Sequence, residues 1–103
     1  MSQNRVALLA GSESDLPKIQ SCIDILEEFE IGCVKHVMSA HRTPERVAEF
    51  AENAEANGIQ VIITAAGAAA HLGGVTAAHT YLPVIGIPIE GGAFNGWDAL
   101  LST

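Results

Sequence analysis

The sequence predicts an α/β fold built on a parallel sheet. Short apolar runs alternate with amphipathic segments, the connections between them are short, and polar or glycine-rich stretches follow each apolar run. Such alternation is typical of βαβ units, whose crossovers are almost always right-handed. We therefore expect a flavodoxin-like three-layer sandwich with the strand order 2-1-3-4. The length of 103 residues suits one domain covering residues 1–103.

Four short runs have the apolar, β-branched character of buried strands. None is long enough to span a membrane, which takes roughly 18–20 apolar residues. Their brevity and composition instead favour strands of a parallel sheet that is covered on both faces. The four predicted strands are Arg5–Ala10, Cys33–Met38, Ile59–Thr64 and Pro83–Pro88.

Helices are expected between and after these strands. In the first, apolar residues recur at helical spacing from Leu16 to Leu26, Ser14 or Asp15 is the expected cap, and Pro17 falls in the first turn. The second begins at Thr43-Pro44, a cap followed by proline at the first helical position, and ends at Asn57-Gly58. The remaining two are expected up to about Thr80 and from Asn95 to Leu101.

Composition narrows the classes of partner. Five basic against twelve acidic residues give a net charge of −7, with no basic stripe for nucleic acid and no polybasic patch for a membrane surface. Cys22 and Cys33 lack CxxC spacing and no signal peptide precedes them, so we expect reduced cysteines and a cytoplasmic protein. The histidines and cysteines show no paired metal-ligand spacing, and no GxxxxGK[ST] motif is present.

The non-hydrophobic stretches fall at the carboxyl ends of the predicted strands, where ligands bind in sheets of this kind. We expect all four to meet at one edge of the sheet and to form a site. They are Gly11–Asp15, Ser39–Pro44, Ala66–Gly74 and Glu90–Gly92.

The first loop, Gly11-Ser12-Glu13-Ser14-Asp15, leads into a helix. Its backbone N–H groups and two hydroxyls are suited to a phosphate, and Asp15 is suited to a ribose diol. A capping turn with nothing bound is an equally good interpretation of these residues alone.

The second loop places His41 beside Arg42, the only arginine or lysine in the four loops. The planar guanidinium of arginine matches the oxygens of a phosphate, and an imidazole can act as a general acid or base near neutral pH. The alternative is that His41 is a surface or structural residue, as we also expect of His36 and His79.

The third loop is almost devoid of side chains. Alanine and glycine let a ligand lie against the backbone, and Gly73-Gly74 predicts a loop that is free to move. Close packing of helix on strand is the alternative explanation. His71 is either a ligand contact or part of a polar lining.

Taken together, the loops resemble the PurE family, which carries GSxSD, SAHRTP and an AGxAAHLxG-type segment in this order, each after a parallel strand. The match runs from Val6 to about Ser102. That family contains mutases, which convert N5-carboxyaminoimidazole ribonucleotide into its 4-carboxy isomer, and carboxylases, which use aminoimidazole ribonucleotide and CO2. The segment Ala69-Ala70-His71-Leu72 is similar to the mutase kind.

The resemblance implies an isomerase of purine biosynthesis that acts without a metal or other cofactor. His41 would be the general acid/base, Arg42 and the loop serines would hold the phosphate, and Asp15 the ribose. The third loop would enclose the migrating carboxylate. The substrate-binding set it implies is Gly11, Ser12, Ser14, Asp15, Ser39, Arg42, Ala66, Gly67, Ala68, His71 and Leu72.

Other functions remain open at this point. A direct carboxylase of the same family, a carboxylase acting on another mononucleotide and an inactive binding or assembly module share these motifs. A flavin-binding module is disfavoured because aromatic residues make up only 5% of the chain and none lies in the first three loops.

Two departures from the family pattern are visible. Mutases commonly carry HLPG where this chain has His71-Leu72-Gly73-Gly74, a change expected to loosen the loop. Family members also continue past Thr103 with a fifth strand and a long terminal helix, relative to which the chain is expected to be truncated. The family assembles as an octamer, so a homo-oligomer is expected, and apolar residues at 49% fit subunit interfaces.

Overall fold

A computed structural model describes residues 3–103, and in it four parallel strands form one sheet. The order is β2-β1-β3-β4, which confirms the predicted 2-1-3-4 arrangement and the flavodoxin-like α/β fold. The strands are β1 Asn4–Ala10, β2 Gly32–Val37, β3 Val61–Gly67 and β4 Val84–Ile89. β3 extends three residues beyond the predicted end at Thr64, because Ala65, Ala66 and Gly67 continue the pairing with β4.

Helices cover both faces of the sheet. A 3-10 helix spans Glu13–Ile19 and leads into α1, Gln20–Glu28. The other helices are α2 Pro44–Ala54, α3 Leu72–Ala77 and α4 Trp97–Ser102.

The core has two parts, one on each face of the sheet, because alternate residues of β1 point to opposite faces. Ala7 and Leu9 pack with Val47 of α2 and Leu72 of α3. Leu8 and Ala10 belong to the second cluster, in which Ile19 and Ile89 are buried. The carboxyl ends of the strands are held in place by these two layers.

The first helical segment begins differently from the prediction. Ser12, not Ser14 or Asp15, is the cap, since its Oγ accepts the Ser14 amide at 3.3 Å. Pro17 has no amide N–H to donate and lies within the 3-10 helix that precedes the regular α-helical turns of α1.

α2 begins as predicted, with Thr43 at the cap position and Pro44 first in the helix. The Thr43 hydroxyl does not cap the helix, however. It accepts the Ser39 amide at 3.0 Å and donates to the Ser39 carbonyl at 3.1 Å. Thr43 thus closes the loop that contains His41 and Arg42.

The prediction that Gly73-Gly74 belong to a loop is wrong, because both glycines lie within α3. A Cβ on Gly73 would come within 2.9 Å of the Thr64 Oγ1, so this glycine lets α3 approach β3 closely. Close helix–strand packing, the alternative interpretation of this segment, describes Gly73. The helix also ends at Ala77, before the predicted Thr80.

β4 lies at the edge of the sheet and pairs only with β3 among the described residues. The Ile62 amide donates to the Pro83 carbonyl at 3.0 Å. The backbone alternation then directs the peptide groups of Ile85, Ile87 and Ile89 towards β3, and those of Val84, Gly86 and Pro88 outwards. Within residues 3–103 no helix is long and apolar enough to cross a membrane.

Candidate functional site

A cleft of about 150 Å³ opens at the carboxyl ends of β1, β2 and β3. It brings together eight of the twelve residues named from the sequence. They are Gly11, Ser12, Asp15, Ser39, His41, Ala66, Gly67 and Leu72, and Ala40 and Ala69 complete the lining.

Four sequence-predicted residues do not line the cleft but lie against residues that do. Ser14 Oγ is 2.9 Å from Ser12 Oγ, and Arg42 Nη2 is 3.4 Å from the Gly11 carbonyl. The His71 ring centroid is 5.3 Å from that of His41. Ala68 precedes Ala69 in the third loop, with a positive φ of 52°.

The fourth predicted loop does not join this cleft. Lys18 donates from Nζ to the Glu90 carbonyl at 3.0 Å and ties that loop to the 3-10 helix. Glu90, Gly91 and Gly92 line a separate open groove with Lys18 and Asn95. The expectation that all four loops form one site is therefore corrected to three.

The first loop is compact because it is bonded to β3 and to itself. The Gly11 amide donates to the Ala65 carbonyl at 3.0 Å, and the Asp15 amide donates to the Ser12 carbonyl at 3.1 Å. The two serine hydroxyls contact each other at the entrance to the 3-10 helix. This arrangement presents hydroxyl groups and a carboxylate to one end of the cleft.

Ser39 organises the second loop. Its Oγ accepts the amides of both His41, at 3.2 Å, and Arg42, at 3.1 Å. Turns of this kind are a common use of serine after a strand. The result is that the imidazole and the guanidinium project from a fixed backbone.

The Ala69 carbonyl connects the two histidines of the site. His41 Nε2 lies 3.2 Å from this oxygen, and the His71 amide donates to it at 2.9 Å. A carbonyl oxygen can only accept, so His41 must carry a proton on Nε2 in this arrangement. In a neutral imidazole Nδ1 is then the nitrogen free to take up a proton.

Ser102 supports the third loop, and no pattern in the sequence indicates this role. Its Oγ accepts the Ala70 amide at 2.8 Å and lies 3.0 Å from the Ala68 carbonyl. Thr103 Oγ1 donates to the Ala70 carbonyl at 3.1 Å. Only the topology brings α4 to the third loop, because more than thirty residues separate them along the chain.

The remaining histidines lie away from the cleft, as expected of structural residues. The His36 ring contacts the Phe50 ring edge-on, with centroids 5.3 Å apart. His79 Nδ1 lies 3.2 Å from Glu52 Oε2 and links the end of α3 to α2. Across residues 3–103 no group of three metal-ligating side chains is assembled.

The fold and this cleft define an α/β protein with a small-ligand site built from three strand-end loops. Residues 5–103 match the family model for AIR carboxylase. The chain therefore belongs to the AIR carboxylase family, and the predicted resemblance to PurE proteins is confirmed.

Curated relatives share about half of their aligned residues with the chain. It is 54% identical over 98 residues to the N5-carboxyaminoimidazole ribonucleotide mutase of Pyrococcus abyssi, covering 95% of this chain and 56% of that protein. The mutase of Thermotoga maritima is 52% identical over 98 residues, covering 95% and 57%. That of Bacillus subtilis is 51% identical over 100 residues, covering 97% and 62%. The chain thus spans less than two thirds of the length of these relatives.

Solved structures agree with the family assignment. The crystal structure of Treponema denticola PurE superposes with a TM-score of 0.84 at 29% identity, covering 95% of this chain and 64% of that one. A PurE2 variant from the same organism gives a TM-score of 0.86 at 27% identity, covering 99% and 66%.

Proposed function

We propose that the chain is an isomerase of purine biosynthesis that moves a carboxyl group from N5 to C4 of aminoimidazole ribonucleotide. The observation that carries the proposal is the position of His41. Its ring lies on the wall of a narrow cleft, bonded to the Ala69 carbonyl and next to a loop rich in hydroxyl groups. The relatives named as N5-carboxyaminoimidazole ribonucleotide mutases support this choice.

In this proposal the phosphate binds at the outer end of the cleft. Arg42 supplies the charge, while Ser12, Ser14 and Ser39 supply hydroxyl groups. The contact between Arg42 Nη2 and the Gly11 carbonyl is long, at 3.4 Å, so the guanidinium can leave it for a phosphate at little cost. Asp15, which lines the same cleft, is the proposed acceptor for the ribose hydroxyls.

The reaction takes up one proton at N5 and releases one proton from C4. Cleavage of the N5–carboxyl bond releases CO2 and leaves an amine nitrogen that takes up a proton. The ring carbon C4 then bonds to CO2 and loses its own proton, so the total number of protons is unchanged. An imidazolium ring can deliver the first proton from Nδ1 and collect the second on the same nitrogen, and we assign that task to His41.

Retention of CO2 requires a small, dry space next to C4. Ala66, Gly67 and Ala69 provide a wall with almost no side-chain volume. The cleft of about 150 Å³ is smaller than pockets that enclose a whole ligand. It therefore suits the imidazole and its carboxylate, with the ribose phosphate lying towards Arg42.

The same proposal includes a homo-oligomer, an octamer by analogy with the family, and a cytoplasmic location. Large apolar side chains that are more than half exposed are consistent with a subunit interface. They include Phe94, Trp97 and Leu101.

Replacement of His41 by asparagine tests the proposed function. General acid–base help is typically worth about 10²–10⁴ in rate, so kcat for formation of the 4-carboxy isomer should fall by that factor with KM nearly unchanged. His71→Asn should have a smaller effect, because His71 does not line the cleft. His36→Asn is the matched control, since its ring packs on Phe50 away from the cleft.

The assay also separates the related activities. Isomer formed from the N5-carboxylated ribonucleotide, and not from aminoimidazole ribonucleotide with bicarbonate, identifies a mutase. The reverse preference would identify a carboxylase. Full activity of His41→Asn in an active chain would contradict the role of His41.

A further inference from the structure

The third loop is held in a strained conformation. Ala68 has a φ of 52°, in the left-handed region that residues with a side chain rarely adopt. Such a conformation persists only where the surroundings impose it. Hydrogen bonds from α4 and from the second loop hold the residues next to Ala68.

The hydrogen bonds from α4 come from its end. The Ala70 amide donates to Ser102 Oγ at 2.8 Å, and Ala70 is fully buried. The single proton of the Ser102 hydroxyl has three carbonyls within reach, those of Asp98 at 2.7 Å, Ala68 at 3.0 Å and Ala99 at 3.4 Å. Ser102 therefore satisfies a buried amide that water does not reach, and it also lies against the strained residue.

Between these two anchored positions lies the Ala69 carbonyl, which accepts from the His41 ring. Rotation of the Ala69 peptide would remove the acceptor that keeps the proton on His41 Nε2. It would also break the bond from the His71 amide. The orientation of one peptide group thus determines which nitrogen of the His41 ring carries the proton.

We infer that Ser102 is a positioning residue for His41, acting through the backbone of Ala68–Ala70. Its Oγ accepts the Ala70 amide, which belongs to the same peptide group as the Ala69 carbonyl, and so keeps that carbonyl directed at His41 Nε2. The kinetic part of this inference rests on the proposed isomerase function. The part that concerns the ring of His41 does not.

The test replaces Ser102 by alanine in the full chain and compares it with Ser102→Thr. Threonine fits this geometry, since Thr76 makes the same bond to the carbonyl four residues earlier, at 2.7 Å in α3. Ser21→Ala, which removes an exposed hydroxyl from α1, is the matched control.

The first measurement is the tautomer of His41, from the nitrogen chemical shifts of its ring, and it requires no activity. We expect the Nε2–H form in the parent chain, Ser102→Thr and Ser21→Ala, and a mixture of both forms in Ser102→Ala. The second measurement is kinetic. Misplacement of a reacting group by about 1 Å costs up to roughly 10²-fold, so kcat of Ser102→Ala should fall about 10- to 100-fold, with KM changed much less.

The outcomes are distinct. An unchanged His41 tautomer in folded Ser102→Ala would overturn the inference, whatever the activity. If the parent chain forms no isomer, the proposed function fails and the tautomer alone decides the role of Ser102. If Ser102→Ala does not fold, Ser102→Cys carries the same test, because sulfur accepts the Ala70 amide only weakly.

Discussion

At the scale of a single residue, the Ser39 hydroxyl holds the backbone of the second loop in place. Its Oγ accepts two consecutive amides, those of His41 and Arg42, and Thr43 closes the turn behind it. The SAHRTP motif therefore encodes both the imidazole and guanidinium groups and the backbone that presents them. This is why the sequence was sufficient to place His41 and Arg42 together on one strand-end loop.

Arg42→Ala is expected to raise KM for the ribonucleotide more than tenfold. A charge-assisted bond to phosphate is worth about 1.5–3 kcal/mol, and the loss falls on binding and not on the chemical step. Initial rates over a range of substrate concentrations would measure this change.

Arg46→Ala is the control, because Arg46 is exposed in α2 and lines a groove with His36 and Phe50. An unchanged KM in Arg42→Ala would mean that backbone amides and hydroxyls hold the phosphate instead.

The Cys33 thiol is expected to make the folded chain less stable at alkaline pH. Burial raises the pKa of Cys33 above its ordinary value, and the neighbouring Cys22 adds to the increase while Lys35 opposes it. The folded state thus disfavours the thiolate. Its contribution is fully present below the pKa of an unfolded cysteine, roughly 8.5, and is lost as the pH rises above that value.

Urea unfolding at pH 7 and pH 10 would measure this dependence. Cys33→Ala should lose less stability than the parent chain between the two pH values, since other groups titrate alike in both proteins. Equal losses in both would show that Cys33 contributes nothing.

At the scale of an element, α3 shows why two adjacent glycines differ. Gly73 faces Thr64 of β3, where an added Cβ would lie 2.9 Å from Oγ1, whereas nothing lies within 4 Å of a Cβ on Gly74. Gly73 and Thr64 thus fit each other, because a side chain at position 73 would meet the Thr64 hydroxyl.

Gly73→Ala and Gly74→Ala should therefore change stability in opposite directions. Gly73→Ala is expected to lower the free energy of unfolding by about 1–3 kcal/mol, as in other overpacked sites. Gly74→Ala should raise it by roughly 0.5–1 kcal/mol, because alanine favours a helix.

Thermal unfolding followed by circular dichroism separates the two results. A shift of the same sign in both variants would contradict the packing of Gly73 on Thr64. Thr64→Ala in the Gly73→Ala background removes the hydroxyl and should relieve the crowding if that oxygen is the obstacle.

Sequence patterns predicted the elements better than their ends. Apolar runs and the Thr43-Pro44 start were sufficient to place four strands and α2, because both depend on local chemistry. The close approach of Gly73 to Thr64 and the end of β3 depend on contacts with other elements. Local patterns in one sequence do not show such contacts, because they form only when the elements pack together.

At the scale of the whole molecule, the order of strands brings three loops to one cleft and leaves the fourth apart. The parallel topology made the common edge predictable. The bond between Lys18 and the Glu90 carbonyl, and the approach of Ser102 to Ala70, join positions 72 and 32 residues apart. No periodicity in the sequence marks either pair.

We predict that the chain is not a monomer in solution. Phe94, Trp97 and Leu101 have 65%, 65% and 80% of their surfaces exposed, which is costly for a protein of 10.8 kDa. Light scattering should therefore give a mass of at least two chains.

Trp97→Lys with Leu101→Lys should lower this mass, since it places charges among these apolar side chains. Lys35→Glu, a change at an exposed position of β2 on the opposite edge of the sheet, is the control. A monomer mass for the parent chain at working concentration would contradict the prediction.

The position of Pro88 in β4 limits the addition of a further strand at that edge of the sheet. An exposed edge strand is a template for further β-structure, and its outward amides are the points of attachment. The outward amides of Val84 and Gly86 can each donate to an added strand, but Pro88 has no amide N–H to donate. The last third of the edge therefore has acceptors without donors. A strand that docks at Val84 therefore finds no continuous hydrogen-bond ladder along β4.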